Sequence, residues 1–184
     1  MGTDYDRRKA IEVFPKLMAY HRWFSAARDP QNSGVISIIH PWDSGRDNCP
    51  DWDIGMRNVV VPDNLESYAR RDTSHVDSDQ RPTQEQYDRF ITIVKFGREC
   101  GWDNQTIHAE GPFLMADPGV QFIFLRASRD LLAMAQHLGM DMAVDEIKGW
   151  VDRVETGSDF LWNKEVGGYC CLLYTSDAAD EVDR

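Results

Sequence analysis

No run of about 18 apolar residues occurs in the chain, so nothing in it is long enough to cross a bilayer as a single helix. The first residues, MGTDYDRRKA, have no apolar core of the kind a secretory leader needs, and a cytoplasmic setting with no membrane partner is expected. Basic residues are scarce: 20 Lys and Arg face 31 Asp and Glu, giving a net charge of −11. That balance opposes binding to nucleic acid, whose phosphates need clustered cations to displace counterions. Cysteine is sparse too. Cys49, Cys100, Cys170 and Cys171 have neither the layout of a disulfide framework nor the paired spacing of a zinc site. There is no HExxH pattern, no EF-hand loop and no short repeat period. No metal and no cofactor is expected.

Apolar residues make up 42% of the 184 and aromatics 11%, enough for one globular core rather than a disordered chain. The periodicity is helical. Tyr87, Phe90, Ile91 and Val94 share one face, and Thr83 with Gln86 three residues on reads as a capping box, which predicts a helix over 84–100. Asp117 as N-cap, Pro118 at the first helical position and Gly139 as a stop bracket a second helix, whose stripe includes Val120, Ile123, Phe124, Leu131 and Leu138. After a two-residue turn, Val144, Ile147, Trp150, Val151, Val154 and Leu161 continue the stripe, so these two helices form an antiparallel hairpin. An earlier helix is expected over 7–28, with Ile11, Phe14, Met18, His21 and Phe24 inward and a kink or restart at Pro15. Residues 29–53 and 62–82 read as long loops, with a short extended stretch at Val35 to Ile39. Long loops in a compact helical domain are more often functional than idle.

After Tyr169 the text CCLLYTSDAADEVDR drops the pattern and offers no cap or stripe. It resembles the translated read-through of sequencing adapters, so residues 170–184 are expected to be a non-native, unfolded tail to a domain spanning 1–169. A natural flexible C-terminus is the alternative.

The chemistry concentrates between His40 and Asp53, where four carboxylates and two indoles fall within fourteen residues. Trp beside Asp suits a sugar, because an indole packs on the apolar C–H face of a pyranose while carboxylates accept bonds from its hydroxyls. A glycosidase also needs one carboxylic acid to protonate the leaving oxygen. Asp47, with Asp43 four positions before it and Trp42 and Trp52 flanking, is the candidate. Two other readings compete: a solvated acidic loop with half-buried tryptophans, and a metal site drawing on His40, Asp43, Asp47, His75 and Asp77. His21, His108 and His137 are read as core or surface residues without a chemical role.

The segment IIHPWDSGRDNCPDWD resembles the HPWESGxDNSPRWD signature of glycoside hydrolase family 63 and its mannosylglycerate-hydrolase-like branch. RRDTSHVDSDQRPTQEQYDRF, PFLMADPGVQFIFLRASRDLLAMAQHLG and FLWNKEVGGY are similar to later blocks of the same catalytic domain, so the resemblance covers about residues 8–169. It implies an all-α fold, part of an (α/α)6 toroid of antiparallel helical hairpins with long active-site loops. It implies an inverting α-glycoside hydrolase with Asp47 as general acid, and a sugar subsite lined by Trp42, Asp43, Gly45, Asn48 and Trp52. In the branch acting on glycosyl-glycerates, an Arg and a Tyr of the RPTxxxY block meet the acceptor's carboxylate, and those places fall on Arg81 and Tyr87. A guanidinium offers a carboxylate a planar two-donor fork. Arg46 and Arg71 are read as partners of nearby Asp residues.

Two departures from the signature stand out: Asp43 occupies the place of a Glu and Cys49 that of a Ser. The resemblance implies a small glycoside such as glucosyl- or mannosyl-glycerate as substrate. Nothing matches the block that carries the family's general base, a Glu, so these 184 residues alone are expected to be inactive. Alternatives are a general α-glucosidase or debranching-type enzyme acting on oligosaccharides and, from another class, a helical-hairpin interaction protein.

Overall fold

The computed structural model describes residues 4–74 and 76–174. In chain order the elements are α1 (Asp4–Arg28), β1 (Ser37–Ile38), α2 (Asp53–Met56), α3 (Gln84–Glu99), α4 (Asn104–Glu110), β2 (Met115–Ala116), α5 (Pro118–Leu138), α6 (Asp141–Ser158), β3 (Trp162–Asn163), β4 (Gly168–Tyr169) and β5 (Leu172–Leu173). The described residues are 61% helix and 6% strand, which makes the fold all-α as expected. Among the described residues no helix is long and apolar enough to cross a membrane.

Capping chemistry sets the main boundaries. Thr83 Oγ1 accepts the Gln86 N–H at 3.2 Å while Gln86 Oε1 accepts the Thr83 N–H at 2.9 Å, closing the capping box at the start of α3. Asp117 accepts from the Gly119 and Val120 amides at the start of α5. Gly139, left-handed at φ 73°, ends that helix. Helices α5 and α6 pack as the expected hairpin, and α1 lies against α5. Phe14, Met18, Leu131, Ala135, Ile147 and Trp150 form the shared core of the three helices. Full burial of a residue such as Ile147 contributes about 1.5–3 kcal/mol.

Several expectations are corrected. α1 runs through Pro15 without a restart, leaving the Ile11 carbonyl without its usual donor four residues on. Ile11 and Ile123 are exposed rather than inward. The inner face of α5 instead carries Gln121 and Ser128, both fully buried. Gln121 is a polar tie: its Oε1 accepts the Ile36 N–H at 2.7 Å, and its Nε2 donates to Gly34 O at 2.8 Å and Val154 O at 3.1 Å. Helix α4 was not expected; Asp103 caps it through the Thr106 amide at 2.8 Å.

The chain after α1 turns at Gly34, whose φ of 81° favours glycine. A Cβ on Gly157 of α6 would lie 2.3 Å from the Gly34 carbonyl carbon, so main chain meets main chain here. This contact leads directly into β1. Ser37 pairs with Ala116 and Ile38 with Met115, antiparallel, and β2 in turn pairs with β5 through Met115 with Leu173 and Ala116 with Leu172. The expectation of no structure after Tyr169 is therefore corrected for residues 170–174. There the Cys170 N–H also reaches Leu161 O at 2.9 Å and the Tyr174 N–H reaches Leu114 O at 3.1 Å. Residues 175–184 lie outside the described residues. Ile38, Trp52, Met56, Phe90, Phe113 and Met115 form a second core that supports the loop after β1.

Candidate active site

The loop begins at His40, which is buried and caps a 3-10 turn over Pro41–Ser44. Its Nδ1 accepts the Trp42 N–H at 3.0 Å, and its Nε2 lies 3.1 Å from the Phe90 carbonyl, to which it can only donate. Both ring nitrogens are therefore used, which removes His40 from the metal reading. Burial, only partly offset by the Phe90 bond and by Asp43 and Asp47, pushes its pKa down. Among the described residues no three His, Cys, Asp or Glu side chains form a group able to hold a metal. His75, the remaining imidazole of that reading, lies outside the described residues.

Gly45 ends the turn in the left-handed region, φ 69°, and redirects the chain. Asp43 and Asp47 consequently face different ways. The Asp43 carboxylate accepts from Arg28 Nη2 at 3.3 Å and from the Ile39 N–H at 3.1 Å, and it lines a mostly apolar cavity of about 200 Å³ with His40 and Trp102. Asp47 is exposed and its carboxylate has no hydrogen-bond partner among the described residues. It lines two adjoining cavities on the other side. The smaller, about 130 Å³, brings together Trp42, Asp47, Asn48, Arg81, Tyr87 and Phe90. The larger, about 280 Å³, is shared by Asp47, Asn48 and Arg81 and has Trp52 in its wall.

Five of the residues singled out from sequence thus converge on the smaller cavity, whereas Trp52 lines only the larger one as a wall, being 2% exposed, with Nε1 donating to Arg46 O at 2.8 Å. Asp43 and Gly45 line neither of the two cavities. Asn48 is held by a bond from Nδ2 to Gln80 O at 3.4 Å.

Arg81 and Tyr87 are placed by residues that the sequence reading passed over. Arg81 Nε donates to Asp72 O at 3.0 Å, while its two terminal nitrogens have no partner among the described residues and remain available as a fork. Asp72 and Arg70 form an ion pair at 2.7 Å, and the Arg70 bond holds the Asp72 carboxyl below its usual range. The Arg70 guanidinium lies 4.5 Å over the Tyr87 ring, and the Tyr68 ring stacks with it at a centroid separation of 5.6 Å. Burial first, then its hydrogen bond to Asp88, pushes the Tyr68 hydroxyl up to about 12.

Residues 1–182 match the model of the mannosylglycerate hydrolase MGH1-like glycoside hydrolase domain. The chain belongs to this glycoside hydrolase family. It is 43% identical over 166 residues to the mannosylglycerate hydrolase of Thermus thermophilus, covering 90% of this chain and 39% of that protein. It is 32% identical to the glucosylglycerate hydrolase of Mycolicibacterium hassiacum, covering 77% of this chain and 32% of that one. A crystal structure of a GH63 mannosylglycerate hydrolase from Thermus thermophilus, in complex with Tris and D-glycerate, superposes with a TM-score of 0.87 at 42% identity. That match covers 92% of this chain and 41% of the other. The helices are therefore part of an (α/α)6 toroid, as the family signature implied. The chain spans about two fifths of the length of the family members it matches.

Proposed function

We propose that the protein to which these residues belong hydrolyses the α-glycosidic bond of a glycosyl-glycerate with inversion, and that Asp47 is its general acid. The observation that carries this reading is the convergence of Asp47, Trp42, Arg81 and Tyr87 on one cavity. The half-exposed Trp42 indole offers a face to the sugar. The free fork of Arg81 and the Tyr87 hydroxyl offer bonds to a carboxylate on the leaving group. Asp47, protonated, then hands its hydrogen to the bridging oxygen as the bond to the anomeric carbon breaks. A second carboxylate, roughly 6.5–9.5 Å away in an inverting enzyme, takes a proton from the water that attacks the opposite face. We assign that base to the part of the protein outside these 184 residues, because the match covers only 39% of the Thermus thermophilus mannosylglycerate hydrolase. The chemistry is displacement at the anomeric carbon, with one carboxyl group giving a proton to the leaving oxygen and the other taking one from the attacking water, and it calls on no metal or cofactor. All four cysteines are free thiols, which supports a reducing, cytoplasmic setting.

Replacing Arg81 by Ala in the full-length protein tests the substrate. Loss of charge-assisted bonds of about 1.5–3 kcal/mol should raise KM for glucosyl- or mannosyl-glycerate by about 10–100-fold, and leave neutral α-glucosides almost unaffected. Equal loss on both would favour a general α-glucosidase. The 184 residues alone should turn over neither substrate; robust hydrolysis by them would overturn the assignment of the base.

A further inference from the structure

We propose that Arg46, the residue before the acid, is a positioning residue that fixes where Asp47 stands by tying the turn to the start of α5. The inference rests on Asp47 acting as the acid. Asp47 has no bond of its own among the described residues, so its position is inherited from its neighbours. Arg46 is anchored through its backbone N–H, its carbonyl and both terminal guanidinium nitrogens. Its N–H donates to Ser44 Oγ at 3.0 Å, and its carbonyl accepts from Trp52 Nε1 at 2.8 Å and from the Cys49 N–H at 3.0 Å. Its guanidinium lies 4.9 Å over the Trp52 ring. Nη1 donates to Asp51 Oδ2 at 3.1 Å, and Nη2 donates to Asp117 Oδ1 at 2.6 Å.

The two carboxylates are not equivalent. Asp51 is half exposed and weakly restrained, as solvated ion pairs are. Asp117 is 1% exposed and is already fixed by the amides of Gly119 and Val120 as the cap of a 21-residue helix. A short bond to such an immobile carboxylate sets the guanidinium, the guanidinium sets the stack on Trp52, and both set the backbone from which Asp47 projects. Proton transfer to a leaving oxygen needs hydrogen-bond reach, so a shift of about 1 Å in the acid is costly to the rate.

The test is the leaving-group dependence of rate in the full-length protein. Arg46→Met keeps a stem over Trp52 and removes the fork; Arg46→Lys keeps a charge for Asp117 and removes the bridge. A glycosyl-glycerate needs a proton to leave, whereas the corresponding α-glycosyl fluoride needs little help. Arg46→Met should lower kcat on the glycerate substrate by about 10–100-fold with KM nearly unchanged, and lower the fluoride rate by less than about threefold, with Arg46→Lys between the two. A merely structural role would reduce both rates by the same factor, since less enzyme would be folded. Equal losses on the two substrates, or no loss in either variant, would overturn the inference. Asp47→Asn measured alongside separates the two claims: if it also lacks leaving-group selectivity, the acid assignment itself fails.

Discussion

Where α1, α5 and α6 meet, the contact is apolar and non-directional, made by side chains such as Met18, Leu131 and Trp150. Between His40 and Tyr87 the chain has little regular structure and is held by directional bonds: His40 to Trp42 and Phe90, Asp43 to Ile39, Trp52 to Arg46, Arg70 to Pro82 and Arg81 to Asp72. Apolar burial supplies free energy but tolerates repacking, whereas a hydrogen bond specifies distance and angle. Stability is thus concentrated in the helices, and the positions of reacting groups are concentrated in the loops.

That division can be broken at either end. In the full-length protein, Asp47→Asn should lower kcat on a glycosyl-glycerate by about 10²–10⁴-fold while leaving the melting temperature in place, because the carboxylate has no structural partner. A large fall in Tm would contradict the separation. Ile147→Ala is the converse: a fully buried residue lost from α6 should cost about 2–5 kcal/mol in a urea titration, with the rate per folded molecule unchanged. Thr83→Ala lies on the border, since α3 carries both Phe90 of the second core and Tyr87 of the cavity. Loss of its capping box should cost about 1 kcal/mol, read from the same titration, and a modest rise in KM would mark the coupling.

The smallest effect is expected from pH. His40 and His108 both have pKa values lowered by burial, so below the ordinary value of 6.5 the unfolded chain binds protons that the folded chain refuses. Their contribution is whole above that value and is lost as pH falls toward the lowered folded values. Asp29, whose carboxyl is pushed up by burial despite its bonds to Gly34, Ser33 and Arg153, acts in the opposite sense nearer the carboxylate range. The urea midpoint should drop between pH 7.5 and 5.5, about the unfolded histidine pKa, and drop less in His40→Asn. An unchanged slope in that variant would remove His40 from the account.

Helix boundaries were legible because caps are local chemistry. Thr83 with Gln86, and Asp117 with Pro118, announce their helices without help from distant residues. Seven-residue α4 is too short to show a period, and β5 exists only because β2, far away in sequence, has an edge to pair with. The candidate site was legible as a set of residue types and less so as a geometry. Asp43 and Asp47 stand four positions apart and look like neighbours, yet the left-handed Gly45 sends them to separate cavities. Trp42 and Trp52 look alike in the sequence, but one is exposed beside the cavity and the other is core. Gln121 and Ser128 were hidden for a related reason: polarity marks them as outward, and only the Gly34 and Val154 carbonyls around Gln121 explain an amide inside.

The bare approach of Gly34 to Gly157 bears on how such a protein can change over generations. A single methyl group on either residue would overlap a carbonyl, so this spot acts as a pin while the surroundings drift. A descendant that acquired a side chain there would have to lift α6 away from the strand leading into the acidic turn, and the seat of the sugar would move with it.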